Sequence, residues 1–338
     1  MSRTSLSEVG EPMMSAMDTT VLSNTPLEFS SLRRQGALAA VACALLVVFN
    51  NTGCAAKRMA VNKLGNAIAS GGTTYASDDD PELVRSAVPF SLKLMESLLE
   101  ESPKHRGLLL AACKGFTEFS YAFVQEDADE IESTNLAEAT RLRARARRLE
   151  LRARDYGLRG LEVRHTGFGK ALRENPRATV RRITSGKEVP LLYWTAASWG
   201  EAISLSKDNP DLIADQPIVE ALIDRAYKLD PNFEAGAIDG FLITYEPSRQ
   251  GAKGDPLARS REHFARAVAL SRGQLAGPYV SLAETVSVQK QDRAEFQSLL
   301  NRALAVDPDA RPEWRIENLL MQRRARWLLG RTDELFVE

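Results

Sequence analysis

The chain has 338 residues, 44 % of them hydrophobic and 26 % charged, which is enough to bury a sizeable core. A formal net charge of −1 gives the molecule no electrostatic bias toward nucleic acid, so we expect no nucleic-acid partner. Three cysteines cannot build a disulfide framework, and three histidines leave little material for metal or acid–base sites.

The N-terminal segment has the pattern of an export signal. Residues 1–32 are polar and show no period, so they are either a disordered extension or lie before an internal start codon. Arg33 and Arg34 then precede an apolar run of 14 residues, 36–49, which is too short to span a bilayer because spanning needs about 20. A charged pair, a short apolar core and then small residues predict a secretory signal peptide over residues 33–53.

A cysteine follows this signal. Thr52 and Gly53 precede Cys54 in a pattern that resembles a bacterial lipobox, although Asn51 occupies a slot that usually holds an aliphatic residue. We interpret Cys54 as a lipidated N-terminus that carries palmitate and residues 54–77 as a tether; an ordinary signal anchor with an incidental cysteine is the alternative. Ala55 is not the aspartate of an inner-membrane retention signal. The N-terminal segment with Cys54 therefore predicts a periplasmic protein that is anchored by lipid to the outer membrane. ATP and NAD are scarce outside the cytoplasm, so we expect no cofactor.

Residues 78–338 carry helical patterns and no alternating strand pattern, which predicts an all-helical domain. Asp80 and Pro81 have the form of a helix start, and Ser102 with Pro103 ends that helix. The three aspartates at 78–80 lack EF-hand spacing, so a helix cap is favoured over a calcium site, and no metal site is predicted. A second helix follows from about residue 104.

An arginine-rich helix is predicted over residues 141–164. Such a basic face could bind phosphate, nucleic acid or anionic lipid, or it could be solvated and pair with the acidic stretch 125–132 just before it. We favour the second interpretation because the net charge of the chain is close to neutral. The positions expected to be buried on this helix are Leu142, Leu149, Tyr156 and Leu158.

The densest aromatic segment, 189–203, comes after a connector predicted over 173–189. Tyr193, Trp194 and Trp199 lie within it, separated by small residues that allow close helix approach. Part of the segment must be core, but Tyr and Trp each carry a polar group that favours a partner or a wet rim. These three side chains are therefore our candidate ligand-binding wall, with plain core packing as the alternative.

Two short sequence segments near the C-terminus are nearly identical in pattern. The pattern of residues 225–231, RAYKLDP, recurs at 302–308 as RALAVDP, and a related segment without Asp-Pro lies at 266–271. The copies start 41 and 36 residues apart, close to the period of tetratricopeptide units. Three helical hairpins can be counted from Pro217 onward. We predict an all-α fold of degenerate tetratricopeptide-like helical hairpins in a compact α-solenoid or bundle, with periods too irregular for an open peptide-binding array.

No motif in the sequence predicts catalysis. His263 lacks a second histidine one helical turn away, so no zinc motif forms, and no Gly-x-Ser-x-Gly elbow occurs. We therefore predict that the protein is not an enzyme.

An export signal combined with several sequence segments resembles the pattern of one protein family. The segments are VPLLYWTAASWGEAI, IVEALIDRAYKLDPNFEAG, REHFARAVALS and LNRALAVDPDARPEWRIENLLMQRRARWLL, within about residues 62–336. Together they are similar to the TatT family, the tetratricopeptide-repeat component associated with TRAP (tripartite ATP-independent periplasmic) transporters.

The resemblance implies a periplasmic lipoprotein that works beside a solute-binding TRAP receptor. It also implies homotrimers with apolar cavities that pass or hold a hydrophobic ligand; Tyr193, Trp194 and Trp199 are our own choice for such a cavity. The alternative function is a generic tetratricopeptide scaffold lipoprotein in cell-envelope assembly.

Overall fold

The computed structural model describes residues 61–68 and 72–337. The predicted extension, the signal peptide and Cys54 lie outside the described residues. No strand occurs in the described ranges, and the predicted all-α class is confirmed. Within the described part, none of the helices combines the length and apolar character needed to cross a membrane.

The helices follow one another through short connections. They are α1 (61–68), α2 (Gly72–Ala76), α3 (Pro81–Glu101), α4 (Arg106–Phe119), α5 (Glu126–Ile131), α6 (Leu136–Glu162), α7 (Phe168–Glu174), α8 (Pro176–Arg181), α9 (Val189–Ser204), α10 (Pro210–Ile213), α11 (Gln216–Leu229), α12 (Ala237–Tyr245), α13 (Pro256–Leu270), α14 (Gly277–Leu282), α15 (Val288–Lys290), α16 (Arg293–Leu304), α17 (Arg315–Gly330) and α18 (Thr332–Leu335). Wider π-helical turns at Ser120–Gln125 and Ala283–Ser287 join α4 to α5 and α14 to α15. Single 3-10 turns lie at Gly186–Glu188, Phe233–Ala235, Glu246–Ser248 and Pro312–Trp314.

The first hairpin starts as the sequence predicts. The Asp80 carboxylate accepts hydrogen bonds from the backbone N–H groups of Glu82 and Leu83, both at 3.0 Å, and caps α3. Helix α4 is capped by His105, whose Nδ1 accepts from the N–H of Leu108 at 3.1 Å. The connector predicted over 173–189 is wrong in part, because Asn175 caps a further short helix, α8, within it.

Helices α6 and α9 cross closely in the middle of the fold, and small residues make this approach possible. Leu142, Leu149, Tyr156 and Leu158 were the expected buried stripe, but all four are only half-buried. The fully buried positions of α6 are mainly small ones: Ala139, Ala146, Ala153, Gly157 and Gly160. A stripe of small side chains lets two helix axes come together because no bulky group stands between them.

Glu150 of α6 lies in the core on the side of α4 and α9, and none of its surface is exposed. The neighbouring hydroxyls of Thr117 and Ser120 already donate to backbone carbonyls at 3.0 and 3.1 Å. Burial raises the pKa of Glu150 well above its usual range, and the charge of Glu201 raises it further. The protonated form of the Glu150 carboxyl is therefore favoured, and that form can donate a hydrogen bond to one of these hydroxyl oxygens.

The arginines of α6 are engaged largely with neighbouring acids. Arg143 donates to Glu132 at 2.6 Å and to Asp129 at 2.9 Å, both in or beside the acidic stretch 125–132. Arg152 pairs with the buried carboxylate of Glu96 on α3. These contacts agree with the interpretation in which the arginines pair with nearby acids. That the protein has no nucleic-acid partner stays a prediction.

Two of the repeated segments form the same aspartate turn. Asp230 accepts from the N–H of Asn232 at 3.1 Å, and Asp307 accepts from the N–H of Asp309 at 2.9 Å. This turn directly follows Leu229 at the end of α11, whereas α16 already ends at Leu304. The related segment at 266–271 instead leads into a left-handed turn that follows α13. In this turn Arg272 and Gly273 have φ angles of +54° and +70°.

The last long helix closes the chain onto its first hairpin. Arg315 of α17 donates to the carbonyl of Ser77 at 2.8 Å. Arg323 donates to Glu130 of α5 at 2.7 Å, and Arg324 lies 3.1 Å from Asp129. The hairpins therefore form a closed arrangement, as the irregular repeat periods indicated.

We expect Gly157→Ala to lower the free energy of unfolding. A Cβ atom at this position would lie 2.1 Å from Oγ1 of Thr195 on α9, so the two helices would have to separate. The cost of such overpacking is about 1–3 kcal/mol. Urea unfolding followed by circular dichroism measures it.

Gly240→Ala is the matched control, because no atom lies within 4 Å of the added Cβ in α12. This change should stabilise the protein by about 0.5–1 kcal/mol through helix propensity alone. Equal effects of the two substitutions would contradict the close crossing of α6 and α9.

Candidate functional site

Two of the candidate aromatic residues form a wall on α9. Tyr193 and Trp194 are 9 % and 8 % exposed, and their rings meet edge to face with centroids 4.9 Å apart. Phe233, in the 3-10 turn after α11, extends the wall, with its ring centroid 5.4 Å from that of Tyr193. Pairs of this geometry stabilise each other beyond simple burial of area.

A lysine stands over this wall. The ammonium nitrogen of Lys114 on α4 lies 5.1 Å from the centroid of the Trp194 ring, which is a cation–π contact. The same nitrogen lies 3.6 Å from Glu118 and 3.9 Å from Glu234. The pKa of Lys114 is raised, with the charge of Glu118 as the largest cause, so the ammonium stays charged.

Glu118 is both accessible and desolvated. Its side chain retains 53 % of its accessible surface, and that of Lys114 retains 41 %. Yet desolvation by surrounding protein is the largest cause that raises the pKa of Glu118. Both facts hold for a side chain in a recess that is open to solvent and has protein beside it. We call this recess the inner chamber, lined by Lys114, Glu118, Tyr193, Glu234 and Glu317.

Two carboxyls have pKa values near neutrality, Glu317 in the inner chamber and Glu201 beside Gln125 and Asp129. Desolvation, followed by the negative charge of Glu118, raises the pKa of Glu317 on α17 to about 7. Desolvation also raises the pKa of Glu201 on α9 to about 7, and a hydrogen bond from Gln125 offsets this only in part. Glu317 forms no ion pair within 61–68 and 72–337. Glu317 in the chamber and Glu201 outside it therefore exchange protons in the physiological range.

Tyr193 lies near these carboxyls, and its hydroxyl group remains accessible to solvent. The residue is 9 % exposed, and no hydrogen bond to its hydroxyl occurs among the residues that the structure describes. Desolvation is the largest cause that raises the pKa of Tyr193, and the charges of Glu234, Glu317 and Glu118 follow in that order. The phenol is therefore neutral and free to donate or accept a hydrogen bond in the chamber.

Glu234 reaches the chamber from a strained piece of backbone. Its φ angle is +40°, and that of Ala235 is +53°, so two consecutive residues with a Cβ occupy the left-handed region. Gly236 follows with φ +100°, where a Cβ would lie 3.1 Å from the Cα of Ala267 on α13. The cost of such a conformation is of order 1–3 kcal/mol per residue, and the packing around it must supply that energy.

Trp199, the third candidate aromatic residue, does not lie at the inner chamber. None of its surface is exposed, and its indole N–H donates to Asp215 at 3.2 Å. The guanidinium groups of Arg154 and Arg173 cover its ring at 4.9 and 5.6 Å from the centroid. Five residues rotate an α-helix by about 140°, so Trp199 and Trp194 point to different sides of α9. The structure thus brings Tyr193 and Trp194 together at the chamber and places Trp199 in the core behind them.

The π-helical turns lie at a second polar region. Tyr121 of the first turn and Glu284 of the second both lie near Arg324, which donates to Glu284 at 2.7 Å. Burial raises the pKa of the neighbouring Glu126 to about 8, and neither of its carboxyl oxygens has a partner within the described ranges. Such π-helical turns often occur where a helix serves a site rather than only packing.

The charged residues in and near the chamber were not predicted from the sequence. Glu201 is a lone carboxylate seven residues after Trp194, on the same face of an otherwise apolar helix. Lys114 and Glu118 likewise interrupt the apolar helix RGLLLAACKGFTEF one turn apart. A lone charge inside an apolar helix was the available signal. The position of Glu317 opposite them could not be read from spacing, because it depends on closure of the fold by α17.

These features define an all-α protein of closed helical hairpins around a polar recess with an aromatic wall. The chain belongs to the TRAP transporter T-component family, whose model matches residues 77–336. It is similar to an uncharacterized protein of Treponema pallidum (strain Nichols), with 25 % identity over 303 residues that cover 85 % of this chain and 94 % of that protein. The family resemblance seen in the sequence is confirmed, and the protein is an accessory component of TRAP transport at the cell envelope.

We expect Tyr193→Phe to leave the free energy of unfolding unchanged or to raise it slightly, because the lost hydroxyl has no partner among the described residues. Tyr156→Phe is the matched comparison, since its hydroxyl donates to Glu96 at 2.6 Å. Loss of a hydrogen bond to a charged group costs about 1.5–3 kcal/mol. Chemical unfolding of the two variants measures the difference, and equal losses would show that Tyr193 is hydrogen-bonded.

Proposed function

We propose that this protein is a periplasmic lipoprotein that binds the solute receptor of a TRAP transport system. The match to the T-component family over residues 77–336 carries the proposal. The apolar run before Cys54 supports export and anchoring in a membrane by lipid. The inner chamber, which is open to solvent, supports a role with a small ligand that the receptor delivers or accepts.

In this proposal the inner chamber holds the ligand. Tyr193 and Trp194 offer an apolar wall for the hydrophobic part of the molecule, and the wet carboxyl side offers polar contacts. Trp199 acts only from behind, by holding α9 in place. The alternative of a generic envelope scaffold expects an open groove for a peptide, and the contacts between α17 and α5 give that alternative no support.

Affinity capture of the full-length protein from native membranes tests the partner. We expect a solute-binding TRAP receptor to co-purify, and light scattering of the detergent-solubilised protein should give the mass of a homotrimer. An unrelated lipoprotein with the same tag is the control. Recovery of envelope-assembly proteins without any solute receptor would contradict the proposal and favour the scaffold function.

Cys54→Ala should abolish lipidation. The unchanged protein should incorporate labelled palmitate and enter the detergent phase of a Triton X-114 extraction, whereas the variant should be unlabelled and remain in the aqueous phase. Cys43→Ala is the matched control, because Cys43 lies within the apolar run and should be removed with the signal peptide. Labelling that survives Cys54→Ala would contradict the anchor.

A further inference from the structure

We propose that the exposed side of α6 lies on the anionic phospholipid headgroups of the membrane in which the protein is anchored. This inference rests on the proposed function, because it takes Cys54 as the anchor and names the surface that the domain presents to the bilayer. It starts from the residues that α6 exposes between position 141 and its end. They are spaced by three or four positions, so they form one straight row along the helix. We call this row the arginine ridge: Arg141, Arg145, Arg148, Arg152, Asp155 and Arg159.

The arginine ridge keeps charge that the acids around α6 do not neutralise. Two of its five arginines, at positions 141 and 152, pair with acids of the domain. The other three, Arg145, Arg148 and Arg159, pair with no acid in the part of the chain that the structure describes. The single acid of the ridge, Asp155, is held at 2.8 Å by Arg154, which lies beside the ridge. The ridge therefore presents a positive surplus to solvent, although the whole chain has a net charge of −1.

Aromatic rings hold three of the guanidinium groups in place. Those of Arg145 and Arg152 cover two phenylalanine rings of α4, at 5.8 and 5.1 Å from the ring centroids. That of Arg159 lies 5.2 Å from the centroid of the Tyr156 ring. These three arginines are seven residues apart, so their charges repeat about every 10.5 Å along the helix. A guanidinium group that is already fixed loses less freedom on binding, and it suits phosphate because it can donate two parallel hydrogen bonds.

The C-terminal end of the arginine ridge lies where the chain arrives from Cys54. Arg159 donates at 3.3 Å to the carbonyl oxygen of Pro103, in the turn between α3 and α4. In the same turn, the hydroxyl group of Ser102 donates at 2.8 Å to the side-chain oxygen of Asn62 on α1. Helix α1 starts seven positions after Cys54, and a chain of that length spans at most about 25 Å. The anchor therefore holds this end of the ridge close to the membrane surface.

A bilayer fits this geometry better than an acidic protein surface does. The ridge runs straight for about 27 Å, and a membrane surface is a plane, so all five arginines can reach headgroups at once. The connection from the anchor is basic as well, since residues 55–60 contain Lys57 and Arg58 and no acid. Each basic side chain near an anionic membrane contributes about 1 kcal/mol, and acyl chains combined with a basic surface anchor more firmly than either alone. The domain should therefore lie with α6 along the bilayer.

Energy transfer in vesicles tests this orientation. The lipidated protein, purified from membranes, is incorporated into vesicles of phosphatidylcholine alone or of phosphatidylcholine with an equal amount of phosphatidylglycerol, each with an acceptor dye on a trace lipid headgroup. A donor dye is attached to the ridge through Asp155→Cys, since Cys113 is buried. We expect about twofold more transfer in the anionic vesicles than in the neutral ones. The difference should vanish in 1 M salt, where the Debye length falls to about 3 Å.

Glu262→Cys is the matched labelling control, because Glu262 is also an exposed acid but lies on α13, outside the ridge. Transfer from this position should rise less in anionic vesicles than transfer from the ridge, because the domain lies on α6. Equal rises at the two positions would contradict the proposed orientation.

Replacement of the three unpaired arginines by glutamine, at positions 145, 148 and 159, should abolish the rise in transfer from the ridge. Arg148→Gln alone, which breaks no ion pair or ring contact in the described part of the chain, should reduce the rise by about a third. Glutamine at Lys228, Arg272 and Lys290, three exposed cations outside α6, removes the same charge and should leave the rise intact. Circular dichroism spectra of these variants check the fold.

The outcomes separate the arginine ridge from the proposed function. Equal transfer in neutral and anionic vesicles would overturn the inference but would leave the anchor in place, because the acyl chains hold the protein on the vesicle in every sample. Loss of receptor capture by the triple variant, with no effect of lipid charge, would instead assign the ridge to an acidic protein surface. Protein that does not remain with the vesicles at all would contradict the anchor and this inference with it.

Discussion

The close crossing of α6 and α9 is the constraint on which the rest of the molecule depends. Gly157 and Gly160 bring the two helix backbones together, and Leu191 and Thr195 of α9 fill the space that larger side chains would need. This contact fixes the rotation of α9 about its own axis. Because the rotation is fixed, Tyr193 and Trp194 face the chamber while Trp199 faces the core.

Closure of the hairpins supplies the second half of the site. The arginines of α17 bind the acidic α5, so the end of the chain returns to its beginning and places Glu317 opposite Glu118. The chamber thus combines residues that are far apart in sequence. Its carboxyls remain wet but surrounded by protein, and this intermediate environment moves their pKa values toward neutrality. The fully buried carboxyl of Glu150 shows the other limit, in which burial in the core raises the pKa well above its usual range.

The sequence allowed prediction of the helical class, the cap at Asp80, the hairpin rhythm and the turns at Asp230 and Asp307, because each depends on local chemistry. The buried face of α6 was predicted only in part: its expected apolar residues pack half-buried against the core, but the small residues that decide how closely helices approach were not predicted. Tyr193 and Trp194 could be selected by their aromatic density. Their acidic surroundings could not, because these arise from tertiary closure and not from any spacing along the chain.

Glu317 stands in a solvent-open recess beside Glu118, and titration of its carboxyl group is the sharpest check of this placement. The carboxyl carbon of Glu317 can be followed by nuclear magnetic resonance in protein labelled at glutamate, with assignment by its loss in Glu317→Gln. We expect a midpoint of about 7. A midpoint near 4.5, the ordinary value of glutamate, would show that neither the surrounding protein nor the charge of Glu118 acts on this carboxyl.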